Sequence, residues 1–118
     1  MKKYGLKLTN DPKEATGLLV AYDTELTYQK LVNACRILKK GEVPYIATNL
    51  DLVCPDEYGF VPDCGSICQM LENATGRRPE YIGKPGSFMV EYALRKCQKQ
   101  LSQSVFVGDR MYTDILCG

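Results

Sequence analysis

The stretch Gly17-Leu18-Leu19-Val20-Ala21-Tyr22 decides the fold that the sequence predicts. It is a short, continuous apolar run between breakers, which is typical of a buried strand. Thr27 can cap a helix that follows it, Gly41 can end that helix, and residues 43–48 form the next strand. The helix carries its apolar side chains at helical spacing: Tyr28, Leu31, Val32 and Cys35. Because a strand, a helix and a strand joined by short links imply a parallel pair, the sequence predicts an α/β unit.

The second half of the chain repeats this alternation. A second helix is predicted to stop at Gly76, and its apolar positions are Ile67, Met70, Leu71 and Ala74. A short strand over 80–83, a helix capped by Ser87 and a last strand over 104–107 follow. The inner face of that last helix is predicted to carry Val90, Ala93, Leu94 and Cys97. The predicted fold class is therefore α/β, with a mostly parallel sheet and flanking helices.

Residues 49–65 interrupt the alternation. They contain Pro55, Gly59, Pro62 and Gly65 and show no hydrophobic periodicity. We therefore predict a long loop, and long loops in compact chains are usually functional or disordered.

Composition and charge exclude several classes of function. The 118 residues are 45% hydrophobic and 25% charged, as in ordinary soluble globular proteins. The net charge of +1, without a Lys/Arg cluster, argues against a nucleic-acid-binding surface. The sequence has no apolar run of membrane-spanning length and no signal-peptide pattern. We therefore expect a cytoplasmic protein without a membrane partner.

The cysteines do not predict a metal site. There are six, and the chain has no histidine. None forms a C-x-x-C pair, and Cys64-x₃-Cys68 is at best half of a zinc site. We interpret the cysteines as reduced thiols that behave as small buried hydrophobes. The lack of histidine also excludes Ser-His-Asp and Cys-His nucleophilic catalysis.

Lys84 and Asp109 each follow a short predicted strand that ends in glycine. If these strands are neighbours, the ammonium and the carboxylate meet at one sheet edge, where ligands bind in open α/β sheets. Asp114 follows Asp109 past a tight turn. A lysine beside metal-binding carboxylates suits a phosphate together with Mg²⁺. Taken singly, Lys84 is more often a solvated loop lysine, and the two aspartates more often form a turn and a helix cap.

Two segments carry these residues: Tyr81-Ile82-Gly83-Lys84-Pro85 and Val107-Gly108-Asp109-Arg110-Met111-Tyr112-Thr113-Asp114-Ile115. They resemble the third and fourth motifs of the haloacid dehalogenase (HAD) superfamily, in its NagD-like phosphatase branch. Residues 19–31, Ile46-Ala47-Thr48-Asn49-Leu50-Asp51 and 73–79 resemble the cap domain inserted in that branch. The resemblance covers nearly the whole chain.

The resemblance implies a domain organisation and a set of site residues. A cap domain would span residues 1–79, and a partial Rossmann-like core would span 80–118. Lys84 would hold the phosphate and the nucleophile, Asp109 would bind Mg²⁺, and Asp114 would complete the acidic site. The substrate would contact Arg110 and the cap's specificity loop, whose implied contacts are Asn49, Asp51, Leu52, Val53 and Tyr58.

One departure from the family concerns the nucleophile. The family's nucleophilic Asp belongs to an Asp-x-Asp motif that precedes the cap, and these 118 residues contain no such motif. The look-alike Asp23-Thr24-Glu25 lacks the second Asp and falls in a cap segment. We interpret Asp23 as a strand-end or capping carboxylate. We therefore expect this chain to be inactive by itself.

Three functions remain open at this point. The first is a fragment of a Mg²⁺-dependent phosphatase that hydrolyses small phosphate monoesters through an aspartyl-phosphate. The second is a non-catalytic phosphate-binding or regulatory module derived from that family. The third is an α/β domain whose acidic loop only caps a helix. The expected partner is a small phosphorylated metabolite, and a homodimer through the cap or an exposed sheet edge is a plausible assembly.

Overall fold

The computed structural model describes residues 5–108, 111, 115 and 116. The strands of this part are β1 (Leu18–Val20), β2 (Tyr45–Ala47), β3 (Val53–Asp56), β4 (Gly59–Pro62) and β5 (Glu80–Tyr81). The helices are α1 (Tyr28–Leu38), α2 (Cys64–Thr75) and α3 (Phe88–Cys97), followed by a short 3₁₀ turn over Leu101–Gln103. Among the described residues, no helix is long and apolar enough to cross a membrane.

The parallel sheet contains β1, β2 and β5, in that order. Leu18 pairs with Tyr45 at the start of β1, and Ala47 pairs with Tyr81 at the end of β5. This sheet and its helices confirm the predicted α/β class with parallel strands. The predicted boundary between cap and core lies between residues 79 and 80. The sheet contains strands from both sides of this boundary, since β1 and β2 precede it and β5 follows it. The division into two domains stays a prediction.

Helix α1 begins where the sequence predicts, but it ends before the predicted stop at Gly41, and only part of its predicted apolar face is buried. The Thr27 side chain accepts a hydrogen bond from the Lys30 backbone N–H (3.3 Å), and the helix ends at Leu38. The buried residues are Ala34, Ile37 and Leu38, whereas Tyr28 of the predicted stripe is exposed. Leu31 and Cys35 of that stripe are partly buried and pack against the core, and they also line a groove against α2. The predicted stripe is therefore correct for these two residues and wrong for Tyr28.

Helix α2 supplies much of the core. The Asp63 carboxylate accepts a hydrogen bond from the Cys64 backbone N–H (2.5 Å), and Gly76 ends the helix in the left-handed conformation, with φ of 70°. The side chains of Cys64 and Cys68 are buried with those of the sheet and of α1. The interpretation of these two cysteines as buried thiols is therefore confirmed. The same core contains Val20, Ala34, Leu38, Tyr45, Ala47, Ile67 and Leu71.

The prediction of a long loop over residues 49–65 was wrong for most of that range. β3 and β4 form an antiparallel hairpin there, with Asp56 opposite Gly59 and Pro55 opposite Phe60. Proline normally argues against a strand, but it is tolerated where its missing N–H is not needed in a ladder. A two-stranded hairpin has a free edge on each strand, so Pro55 and Pro62 do not prevent pairing.

The last part of the chain differs from the prediction in two ways. Helix α3 forms where predicted, but none of its residues is fully buried. Of the predicted inner face, Val90 and Leu94 are half-buried, whereas Ala93 and Cys97 are exposed. Ser87 precedes the helix, but its hydroxyl donates to the Glu91 carboxylate (2.6 Å) and makes no capping bond. Residues 104–107 are not a strand. An apolar run becomes a strand only when a neighbouring strand accepts its backbone hydrogen bonds.

Candidate functional site

The carboxyl ends of β2 and β5 bring two predicted segments together. β2 leads into Thr48 and Asn49, and β5 leads into Gly83 and Lys84. A Cβ atom at Gly83 would lie well within 3.0 Å of the Thr48 carbonyl oxygen and 3.2 Å from the Asn49 Cα atom. Only glycine allows such an approach between two backbones. The lysine turn and the start of the 49–53 segment therefore share one edge of the sheet.

Hydrogen bonds hold the 49–52 segment in a defined shape. The Asn49 side-chain oxygen accepts from the Asp51 backbone N–H (2.9 Å), which is an Asx turn. The Asp51 carbonyl accepts from the Gly65 N–H (2.8 Å), and the Leu52 carbonyl accepts from the Ser66 hydroxyl (2.5 Å). The N-terminal turn of α2 therefore anchors the segment from behind.

Gly65, in the first turn of α2, allows a close backbone approach to the 49–51 segment, as Gly83 does after β5. A Cβ atom at Gly65 would lie within 3.0 Å of the carbonyl oxygens of both Leu50 and Asp51. A side chain at either glycine would push the 49–51 segment away from its neighbours. The segment is thus positioned from two sides by residues that have no side chain.

The hairpin of β3 and β4 extends from this segment into solvent. Leu52 and Val53 are about half exposed, and Tyr58 and Phe60 are mostly exposed. Of the predicted substrate contacts, Asn49, Asp51, Leu52 and Val53 follow one another at the carboxyl edge of the sheet, and Tyr58 lies in the two-residue turn of the hairpin. The hairpin can present apolar and aromatic surface to a ligand held at the edge.

The predicted phosphate and metal residues are only partly described. Lys84 lies in the exposed turn after β5, and the Lys84–Pro85 peptide bond is cis. Asp109, Arg110 and Asp114 lie outside the described residues. Because residues 104–107 do not form the strand that was to bring Asp109 beside Lys84, the meeting of the two side chains stays a prediction. Within the described residues, no group of three or more His, Cys, Asp or Glu side chains is arranged to hold a metal ion.

Asp23 follows β1 at the same edge, and its carboxylate makes hydrogen bonds within the chain. Its carboxylate accepts hydrogen bonds from the Lys30 ammonium (2.8 Å) and from the Glu25 backbone N–H (2.9 Å). These bonds, with that from Lys30 the stronger influence, hold the pKa of Asp23 below its ordinary value of 3.8. This arrangement agrees with the interpretation of Asp23 as a strand-end carboxylate that orders the loop before α1.

A second group of titratable side chains is buried behind the edge. Burial raises the pKa of the Tyr45 phenol, and it raises the pKa of the Cys68 thiol to about 11. The Tyr45 hydroxyl has no conventional hydrogen-bond partner in the described part of the chain, and its polar neighbours include the thiols of Cys68 and Cys64 and the Tyr81 phenol. Groups that stay protonated at neutral pH suit a core and not a nucleophile.

Sequence reasoning missed the two glycines that shape the edge and the hairpin beside it. The hairpin had a local signal, since Glu57-Tyr58-Gly59 can form a tight turn between Val53–Asp56 and Phe60–Pro62. The two glycines had no local signal, because the backbone that each approaches is distant in the sequence.

Comparison with known proteins identifies relatives across nearly the whole chain. A family model described as HAD-hydrolase-like matches residues 81–118. The 5'-nucleotidase YutF of Bacillus subtilis is 36% identical over 111 residues, which are 94% of this chain and 43% of that protein. The ribonucleotide monophosphatase NagD of Escherichia coli is 43% identical over 76 residues, which are 63% of this chain and 28% of that protein.

Solved structures give the same result for the fold. The 4-nitrophenylphosphatase of Thermotoga maritima superposes with a TM-score of 0.90 at 38% sequence identity, over 99% of this chain and 44% of that protein. This chain thus spans less than half the length of these relatives.

Proposed function

Because this chain belongs to the NagD-like phosphatase branch of the haloacid dehalogenase superfamily, we propose that it forms the cap and the C-terminal part of the core of a Mg²⁺-dependent phosphatase. Its substrates would be small phosphate monoesters. The observation that supports this most directly is the close approach of Gly83 to Thr48, since it puts the Lys84 turn at the same sheet edge as the 49–53 segment. A phosphate-binding group and a surface for the leaving group would then be adjacent.

Each proposed site residue has a distinct role. The Lys84 ammonium would bind phosphoryl oxygens as a point charge. Asp109 and Asp114 would hold Mg²⁺, since hard cations of this kind prefer carboxylate oxygens. Bound Mg²⁺ would neutralise the charge on the transferred phosphoryl group. Arg110, next to Asp109 in the sequence, would contribute a second cation for the substrate.

The 49–53 segment and the hairpin would contact the leaving group. Asn49 and Asp51 offer polar contacts, whereas Leu52, Val53 and Tyr58 offer apolar and aromatic ones. A ligand with a flat or apolar portion beyond its phosphate fits such a surface. Two of the relatives are named as a 5'-nucleotidase and a 4-nitrophenylphosphatase, and these names refer to substrates of this kind. We therefore propose small phosphorylated metabolites as the substrate class.

We propose that these 118 residues alone do not turn substrate over. An Asp nucleophile of an Asp-x-Asp motif would form the aspartyl-phosphate, and the sequence has no Asp-x-Asp. Asp23, the nearest look-alike, is bonded to Lys30 and Glu25 at the end of a strand of the β1-β2-β5 sheet. Turnover of p-nitrophenyl phosphate with Mg²⁺ that disappears in Asp23→Asn would contradict this part of the proposal.

Phosphate binding can be tested without turnover. A ligand that binds only the folded state raises its stability by about 2.7 kcal/mol at a concentration 100 times its Kd. We expect inorganic phosphate with Mg²⁺ to raise the urea midpoint of the parent chain and to have no such effect on Lys84→Gln. Lys96→Gln, which removes an exposed lysine from the last turn of α3, is the matched control and should respond as the parent does. An equal response of all three proteins would mean that Lys84 does not bind phosphate.

A non-catalytic phosphate-binding or regulatory module is the second candidate function, since it would need the phosphate site but no Asp-x-Asp motif. Both candidates share the phosphate test. The gene sequence upstream of Met1 separates them, because an Asp-x-Asp-Gly encoded there in frame would mean an enzyme.

We also propose a cytoplasmic homodimer that forms through the cap. The support is a groove of about 730 Å³ between α1 and α2, with Tyr28, Val32 and Met70 among its lining residues. An open apolar groove of this kind is typical of protein interfaces. Sedimentation equilibrium tests the dimer, and a monomer at every concentration would contradict it.

A further inference from the structure

The groove between α1 and α2 has the size and the lining of a site for a small molecule. It extends along α1 from Tyr28 to Lys39, which is about 16 Å at the usual helical rise. Because Arg77, which follows α2, donates to the carbonyls of Leu38 and Gly41, both helices end at the same end of the groove. Its volume of about 730 Å³ lies within the range of roughly 300–1,000 Å³ that is typical of ligand sites. Most of the wall is apolar and consists of Leu31, Val32, Cys35, Met70, Leu71 and Ala74.

The charged side chains of this groove lie at one end only. Arg36, in the last turn of α1, and Lys39, directly after it, line the groove, and none of the described lining residues is acidic. Neither cation forms an ion pair within the described part of the chain. The neighbouring Lys40 differs, since its ammonium donates to the carbonyls of Lys13 (2.7 Å) and Ala15 (3.2 Å). The groove therefore has two uncompensated positive charges at one end and an apolar wall along the rest.

This distribution of charge favours one kind of occupant. A helix of another protein presents polar side chains along its whole length, whereas a linear amphiphile has a single charged head and an apolar tail. We therefore propose that the groove binds a free, single-chain amphiphile with an anionic head, such as a fatty-acid carboxylate. Its head would lie at Arg36 and Lys39, and its tail would extend toward Tyr28. The α1 axis between Arg36 and Tyr28 is about 12 Å long, which an extended alkyl chain of roughly ten carbons spans.

The ligand would also regulate assembly. The same groove supports the homodimer proposed above, and this part of the inference rests on that proposal. An amphiphile in the groove would cover the apolar surface on which a second copy packs, so ligand and second copy would exclude each other. A ligand that binds the monomer and not the dimer shifts the equilibrium toward the monomer by mass action.

Titration calorimetry of the 118-residue chain with dodecanoate, kept below its micelle concentration, tests the ligand site. We expect dodecanoate to bind about fourfold to tenfold more tightly than decanoate, because two more methylene groups leave water. Dodecyltrimethylammonium has the same tail and a cationic head. It should bind about tenfold more weakly than dodecanoate, because its head would meet two positive charges.

Variants test the two ends of the proposed contact separately. Arg36→Gln and Lys39→Gln should each weaken dodecanoate binding by about twofold to fivefold, and Lys96→Gln, at an exposed lysine of α3, should not. Ala74→Phe places a ring in the groove and should abolish binding, whereas Ala93→Phe, at an exposed alanine of α3, should leave it unchanged. Sedimentation equilibrium with saturating dodecanoate should show a monomer at concentrations where the ligand-free chain is a dimer.

Three results would overturn the ligand site: equal binding of the anionic and the cationic amphiphile, unchanged binding in a folded Ala74→Phe, or binding to phosphatidylglycerol vesicles without binding of free dodecanoate. A dimer that persists with dodecanoate bound would overturn the proposed effect on assembly. The titrations contain no phosphate and no Mg²⁺. A chain that binds dodecanoate but fails the phosphate test of Lys84 would therefore support the ligand site and contradict the proposed function.

Discussion

Replacement of Gly83 by alanine tests how the two segments of the candidate site are held together. The added methyl group would lie well within 3.0 Å of the Thr48 carbonyl oxygen, and a main-chain carbonyl cannot rotate away as a side chain can. The backbone of Gly83 does not have the positive φ that only glycine tolerates, so conformational strain at this residue does not add to the effect. The steric contact is therefore the destabilising effect in the folded state.

Two effects of opposite sign decide the magnitude. Overpacking of a close contact costs about 1–3 kcal/mol. Alanine restricts the unfolded chain more than glycine does, which stabilises the folded state by roughly 0.4–1 kcal/mol. We expect Gly83→Ala to lower the free energy of unfolding by about 1–2 kcal/mol. In a chain of this size, the melting temperature would fall by on the order of 4 °C for each kcal/mol.

Gly17→Ala is the matched control for this measurement. Gly17 precedes the same sheet and also lacks a positive φ, but its added Cβ would lie 3.3 Å from the Pro44 carbonyl oxygen. A shift of a few tenths of an ångström accommodates that contact, and we expect a change within about 0.5 kcal/mol. Urea unfolding followed by far-UV circular dichroism compares the two variants. Equal stability of Gly83→Ala and Gly17→Ala would refute the close approach of the lysine turn to β2.

Three further measurements test other parts of the structure. Arg77 donates to three carbonyls at and after the end of α1, so Arg77→Ala should lower the free energy of unfolding by about 1–3 kcal/mol, with partial recovery in Arg77→Lys; no loss in urea unfolding would contradict this role. Because the folded-state pKa of Asp23 lies below 3.8, its bond with Lys30 stabilises the fold above that pH and is lost as the pH falls through the folded pKa. Asp23→Asn should therefore lose less stability than the parent in acid, and parallel pH profiles of the urea midpoint would argue against the bond. Cys97 is exposed and should react with a thiol reagent in the native state at about pH 8, whereas Cys68, with its raised pKa and burial, should react only after unfolding; equal rates would contradict the buried core.

The elements that could be predicted from the sequence are those whose partners are close in the chain. β1, α1 and β2 follow one another with short links, and each is signalled by its own apolar run or cap. The C-terminal end of α2 could also be predicted locally, because Gly76 stops the helix where the apolar pattern stops. Pairing of β1 with β2 then follows from chain connectivity alone.

The elements that could not be predicted depend on residues far away in the sequence. The run over 104–107 has the composition of a strand, but a strand also needs a neighbour, and local composition contains no information about one. The inner face of α3 forms only in part, with Val90 and Leu94 half-buried, since a helix face is buried only as far as something packs on it. Both differences from the prediction fall in the last part of the described chain.

The candidate site depends both on local sequence patterns and on contacts between residues that are distant in the sequence. The position of Lys84 at the carboxyl end of a parallel strand follows from local patterns, and the structure has that strand beside β2. The contact that makes this position useful is non-local, because it depends on Gly83 meeting the backbone of Thr48 and on Gly65 meeting that of Leu50 and Asp51. With a side chain at either glycine, the sequence would still predict the same helices and strands. The side chain would nevertheless push the 49–53 segment away from its neighbours. The proposed capacity of this edge to hold a phosphate and a leaving group at once would therefore depend on two residues whose contribution is the absence of a side chain.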